Sequence, residues 1–250
     1  MARGVLNPSR SGEFTKFFFF IYVLSFMVVG LLGLSTRLYA APVVVTSRAT
    51  LAGNDFVDWG GFGAPFTVVA NPSNVSSNTA AITANVSMPS GQFERRDQSS
   101  GGWDGNFAPG DHLLWTESAN VGPMIISFNN PVNGAGAQIQ ADFFGPFTAT
   151  INAYDASSTL IGSFTINGNS NPNADNSAIF LGVMDTSPTI KRIEYSVSSV
   201  FNNDFAINQL DLIDPTASIP TMNEWGMIIF VVLAGLSSMY YIRRQKRVER

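Results

Sequence analysis

The sequence predicts an all-β fold, an antiparallel β-sandwich or jelly-roll-like domain. The segment between Pro42 and Ile219 is rich in Asn, Ser, Thr, Gly, Phe, Val and Ile and poor in Lys, Glu and Leu, which favours strands and turns over helices. Short apolar or alternating runs recur there between turn residues. No ten-residue helical period separates them, which argues against βαβ units.

The runs follow in order. Val43 to Val45 reads as an opening strand, and Phe66 to Ala70 and Ala80 to Val86 as two more. Two Gly-rich loops, 58–63 and 99–110, carry Trp59, Trp103 and Phe107 and are expected to cover one end or edge of the sandwich. Met124 to Phe128 is a short apolar run, broken by Asn129-Asn130-Pro131. Ala137 to Phe144 alternates, with Ile139 and Phe143 on one side and Gln138, Gln140 and Asp142 on the other. Gly145-Pro146 turns the chain into Phe147 to Tyr154, whose inward set is Phe147, Ala149, Ile151 and Ala153. Residues 155–158 read as a hairpin loop into Thr159 to Ile166, followed by a polar loop over 167–176. Ile179 to Val183 is a short buried strand, and Lys191 to Val197 alternates with Ile193, Tyr195 and Val197 inward. Phe205 to Ile213 closes the set, with a register change near Asn208.

The formal charge of −4 for the 250 residues hides an uneven distribution. Between Pro42 and Ile219 there are five basic and fifteen acidic residues, a net −10. An acidic domain repels nucleic acid and anionic lipid, so no nucleic-acid partner is expected. There is no cysteine, which excludes thiol catalysis, cysteine zinc sites and disulfide staples.

Both termini carry membrane signals. Arg3, Arg10 and Lys16 precede an apolar run from Phe17 to Leu34, and small residues follow at Ala40 and Ala41. This is the layout of a secretory signal over residues 1–41, read by the export translocon. Cleavage after Ala40 is preferred, with an uncleaved N-terminal anchor as the alternative. At the other end, Met227 to Ile242 is uncharged and near the length that crosses a hydrocarbon core of about 30 Å. Trp225 lies at one end of it and Tyr240 and Tyr241 at the other, positions suited to the headgroup level. Arg243, Arg244, Lys246 and Arg247 follow, which places the 243–250 tail in the cytoplasm and the segment between Pro42 and Ile219 outside.

Residues 215–226 form a linker ending in Ile219-Pro220-Thr221-Met222 and Trp225-Gly226. Together with the apolar run and basic end, this tail resembles the IPTL-CTERM bacterial sorting signal. Met222 stands where Leu is usual, a volume-conserving change. The resemblance covers about the last thirty residues. It implies an exosortase-type membrane enzyme as partner, an inner-membrane anchor, and possible transfer to the cell envelope or surface. The middle of the chain also resembles the β-sandwich modules that precede IPTL-CTERM and PEP-CTERM tails, through "INAYDASSTLIGSFTI" and "FAINQLDLI".

Candidate chemistry is sparse. His112 is the lone histidine, so a Ser-His-Asp triad must use it; with no Gly-x-Ser-x-Gly elbow, it reads as a loop or strand-edge residue. Trp59 beside Asp55 and Asp58, and Trp103 beside Asp104, offer a ring for a sugar face and carboxylates for its hydroxyls, as contacts for extracellular polysaccharide. The plainer reading is a Trp plug over a core edge. No cofactor is expected. Asn202, Asn203, Asp204 and Asp211, or Asn173, Asp175 and Asn176, supply oxygens of the kind Ca²⁺ takes, though without an EF-hand or nonapeptide repeat, so any metal site is left unassigned. The sequence thus predicts a non-enzymatic envelope protein with a structural, adhesive or glycan-contacting domain. The alternative is a carbohydrate-active enzyme or Ca²⁺-dependent lectin-like module.

Overall fold

A computed structural model describes residues 41–99, 102–117, 122–215, 228–231 and 233–235. The described part between Ala41 and Pro215 is built from fifteen strands in two antiparallel sheets. In chain order they are β1 Val43–Val45, β2 Asp55–Val57, β3 Val68–Val69, β4 Ser73–Ser76, β5 Thr83–Ser87, β6 Phe93–Asp97, β7 His112–Trp115, β8 Met124–Val132, β9 Gly134–Ala141, β10 Gly145–Tyr154, β11 Leu160–Ser170, β12 Ile179–Met184, β13 Ile190–Ser199, β14 Phe205–Ile207 and β15 Leu210–Ile213. One helical turn, α1 Arg48–Leu51, is capped by Ser47, whose side chain accepts from the Thr50 N–H, a standard N-cap.

The six-stranded sheet has the order β11-β10-β13-β8-β5-β4. The nine-stranded sheet runs β1-β12-β9-β14-β7-β6-β3, with β15 also on β9 and β2 on β15. Alternate residues of both sheets meet in one core. Ala149, Ile151 and Ala153 of β10 and Ile193, Tyr195 and Val197 of β13 face Ala135, Ala137 and Ile139 of β9 and Phe205 and Ile207 of β14. The buried Tyr195 hydroxyl crosses between the sheets and donates to the Leu181 carbonyl at 2.8 Å.

The register change near Asn208 is where the larger sheet forks. β14 pairs with Ile139–Ala141 of β9, and β15 pairs with Gly134–Gly136 of the same strand. Asn208 fills the gap. Its Oδ1 accepts the Gln138 N–H at 3.0 Å, its own N–H reaches the Gln138 carbonyl at 3.2 Å, and its Nδ2 donates to Gln138 Oε1 and Asp111 Oδ2. A ladder interrupted in the interior leaves polar backbone to satisfy, and the backbone and side chain of this one residue satisfy it.

Several strand expectations shift. β9 starts three residues early and is buried on both faces, because loops cover its outer side. Gln138 and Gln140 are therefore buried, and Phe143 lies exposed beyond the strand end. β8 continues through Asn129-Asn130-Pro131, with an irregular register opposite Lys191; Pro is tolerated at such a bulge. β11 runs on to Ser170, so the polar loop begins at residue 171. β2, β4, β6, β7 and α1 carry no apolar alternation strong enough to show in the sequence.

The expected signal segment lies outside the described residues except for Ala41. Of the expected spanning helix, 228–231 and 233–235 are helical. Among the described residues no helix is long and apolar enough to cross a membrane.

Candidate functional site

The two Gly-rich loops do different things. Residues Trp59–Phe62 form a single 3-10 turn capped by Asp58. Trp59 has no exposed surface, belongs to the main core, stacks on Phe62 and donates its indole N–H to the Asn208 carbonyl at 2.7 Å. Its ring has no free face for a ligand, which corrects the expectation of a contact there. In the second loop, residues 102–110 fold over the outer face of the larger sheet instead of an end. Trp103, Phe107, Leu113 and Ala206 make a second small core on that face, against Trp115.

Glycine permits this. A Cβ on Gly105 would stand 2.3 Å from Trp103 Nε1 and 2.4 Å from Gln140 Oε1. A Cβ on Gly102 would stand 2.4 Å from the Asp97 carbonyl. Gln140 then holds the loop from below, accepting the Asn106 N–H at 2.7 Å while its Nε2 donates to Ser170 Oγ at 2.6 Å.

Beside this plug lies an open cleft of about 270 Å³, lined by Arg96, Gly102, Trp103, Asp104, Trp115, Asp142 and Phe144. β6 and β7 supply Arg96 and Trp115, and the turn after β9 supplies Asp142 and Phe144. Trp103 meets Trp115 edge-on, with centroids 6.2 Å apart. The Arg96 guanidinium sits 4.9 Å from the Trp115 ring centre and 4.5 Å from that of Phe66, a cation–π sandwich. Its Nε is 2.5 Å from Glu94 Oε1, but the N–H is not aimed along that contact, so this is a charge contact. Phe66 is at φ 68, a conformation rare for a bulky residue, held by its N–H donating to the Arg95 carbonyl at 2.7 Å.

Asp104 is exposed at the rim. Burial, followed by the nearby Asp204 carboxylate, pushes Asp142 above the usual aspartate range, against the opposing pull of Arg96 and an Asn202 hydrogen bond. Phe144 is about half exposed. Next to it Phe143 and Phe201 pack at 5.5 Å, and Val200 and Phe201 are the most exposed large apolar residues of the sandwich. The cleft and this apolar tip share one pole of the molecule.

The other candidates are dispersed. His112 opens β7, its Nδ1 2.7 Å from Asp58 Oδ1 and its Nε2 4.0 Å from Asp97 Oδ1. Asp211 lies on β15 and pairs with Arg48 at 2.5 Å, whereas Asp204 lies at the opposite end of β9, where its carbonyl accepts the Asp142 N–H. Asp175 accepts from Ser177, and Asn176 Oδ1 accepts from Gln138. Among the described residues, no three His, Asp or Glu side chains converge as a metal site. Ile219, Pro220, Thr221, Met222, Trp225, Gly226, Arg243, Arg244, Lys246 and Arg247 lie outside the described residues. Sequence reasoning named Trp103 and Asp104 and missed Arg96, Trp115, Asp142 and Phe144. No local pattern joins those four; only strand pairing does.

Fold and site together define an antiparallel two-sheet β-protein with an aromatic, charged cleft on one outer face. No family model matches the chain, and no curated protein matches it. Several solved structures are distantly similar, among them the following three. A DUF4465 family protein from Bacteroides caccae ATCC 43185 is 16% identical over 69% of this chain and 100% of that one, with TM-score 0.35. The enzymatically active domain of tailspike protein 4 of bacteriophage CBA120 is 14% identical over 62% of this chain and 20% of that one, TM-score 0.25. CsCBM6-3 from Clostridium stercorarium, solved with cellobiose, is 10% identical over 65% and 95%, TM-score 0.23. Likenesses this distant leave any functional reading to rest on the cleft itself.

Proposed function

We propose that the chain is an exported, envelope-associated protein whose β-sandwich contacts glycan through the Arg96–Trp115 cleft. In this reading a signal helix precedes the domain. An IPTL-type sorting tail with a transmembrane helix follows it, recognised by an exosortase-type enzyme. The observation that carries the glycan reading is the juxtaposition of aromatic surface from Trp115 and Phe144 with Asp104, Asp142 and Arg96 in one open cleft. Apolar faces of a sugar ring stack on such rings, and charged side chains take its hydroxyls. The tail reading rests on the ordered residues Ile219 to Gly226, the uncharged run and the basic end.

The test of the cleft is retention on polysaccharide from a polysaccharide-exporting Gram-negative cell surface. Asp104→Asn combined with Phe144→Ala alters exposed side chains only and should lower retention about tenfold, the scale of a lost stacking and hydrogen-bond contact of ~1.4 kcal/mol. Unchanged retention by that variant discards the reading.

A second reading, a carbohydrate-active enzyme, is favoured by one feature. Burial raises the Asp142 pKa above the ordinary aspartate value, the direction a general acid needs. Glycan turnover that Asp142→Asn abolishes would establish it, and absence of turnover across a panel of bacterial polysaccharides would remove it.

A further inference from the structure

The edges of the two sheets are unequal. β1, β3 and β4 end their sheets with three, two and four residues. β11 ends the smaller sheet with eleven. It pairs with β10 on one side, and among the described residues no backbone hydrogen bond reaches it on the other. Exposed edges are normally blunted by shortness, charge or proline. β11, Leu-Ile-Gly-Ser-Phe-Thr-Ile-Asn-Gly-Asn-Ser, has none of these, and no charged residue occurs between Asp155 and Asp175.

Two further observations point to an occupant. The inward residues Phe164 and Ile166 pack on the core but remain only partly buried, so the core is open along this edge. The exported segment carries a net −10, and two copies of it repel wherever charged surfaces meet. The β11 edge is an uncharged strip along which two copies can approach.

We propose that β11 is a self-pairing edge, and that two copies of the chain join antiparallel through it into one continuous twelve-stranded sheet. A two-fold axis at Thr165 makes the pairing self-complementary, as an isologous interface requires. It sets Thr165 against its own copy and Ser163 opposite Asn167 of the partner subunit. It also sets Phe164 opposite Ile166 of the partner subunit, an aromatic–β-branched pair of the kind that stabilises sheets. The edge supplies main-chain hydrogen bonds, as in β-strand addition, and the half-covered Phe164 and Ile166 become enclosed. This pairing does not depend on the glycan reading, because the cleft lies on the other sheet.

The experiment uses the full chain, recovered from its cell envelope in mild detergent. The absence of native cysteine makes single thiols diagnostic. Thr165→Cys should yield a disulfide-linked dimer under mild oxidation, and Ser76→Cys on the β4 edge should not. Ser163→Lys with Asn167→Lys sets like charges opposite each other and should shift the mass by light scattering from dimer to monomer. Ser163→Lys with Asn167→Glu sets opposite charges in the same register and should restore the dimer. A monomeric parent chain, equal cross-linking at residues 165 and 76, or a dimer indifferent to both charge pairs would each overturn the proposal.

Discussion

Asn208 contributes more through its bonds than through its bulk. It joins Gln138, Asp111, Arg48 and the Trp59 indole at the fork of the larger sheet. Asn208→Ala leaves the Gln138 amide and the Asp111 carboxylate without these partners, and unsatisfied buried groups cost about 1–3 kcal/mol each. We expect a loss of about 3 kcal/mol in urea denaturation of segment 42–214 followed by Trp fluorescence; a loss below ~0.5 kcal/mol, the scale of an ordinary surface change, would contradict the role given to it. Two aspartates make opposite predictions with pH. Burial works against ionised Asp55, but hydrogen bonds from Ser77, Thr79 and Phe56 outweigh it and leave its pKa below the ordinary 3.8. Its stabilising charge is therefore fully present above pH 3.8 and is lost as pH falls through the lowered value. Asp142 is raised. The neutral form is the one the fold favours, and that contribution is lost as pH rises through the raised value. At neutral pH, Asp55→Asn should lower the Tm and Asp142→Asn should raise it, and equal shifts in a thermal melt would refute the assignment.

Among the elements, β10 and β13 were legible because each keeps a two-residue period, and β12 because it is a short continuous apolar run; all three lie between other strands. The β9 alternation was also visible, but its meaning was not. Gln138 and Gln140 look solvent-facing until residues 102–110 and 176–178 are folded onto them. Strands β6 and β7 escaped notice because Glu94, Arg95, Arg96 and His112 give them a polar reading, although ion pairs and cation–π stacking accommodate most of those charges. Of the missed half of the cleft, Arg96 and Trp115 come from β6 and β7 and Asp142 and Phe144 from the turn after β9, and β14, pairing with both β7 and β9, brings them together. The loop itself depends on glycine. Gly105→Ala forces a Cβ into Trp103 and Gln140, which should cost about 2 kcal/mol by overpacking and abolish glycan retention. Retained binding and an unchanged denaturation midpoint would show that the loop adapts.

At the scale of the whole molecule, position along the sandwich matters more than any single contact. Val43, Met184, Gly134 and Ile213 form one row across the larger sheet, so the chain enters and leaves at the same pole. The cleft and the apolar tip stand at the other. β10 has ten residues, so the poles are about 30 Å apart at ~3.4 Å per residue. That is several Debye lengths of about 8 Å, which removes the site electrostatically from any surface at the entry pole. For the tail, Pro220→Ala or Trp225→Ala should leave export intact and block sorting, read by fractionation of the envelope; normal localisation of both variants would end the sorting reading.

The shared row has an engineering consequence. Val43 and Ile213 are three strand spacings apart, about 14 Å, a gap that a short glycine-serine bridge spans. The order of the strands along the chain is then a convention, and the fold is a closed loop that can be opened elsewhere. A circular permutant with its new ends in the 155–158 turn should refold with the same near-ultraviolet spectrum as the parent, and the same property would let the whole sandwich be spliced as a cassette into a loop of an unrelated host.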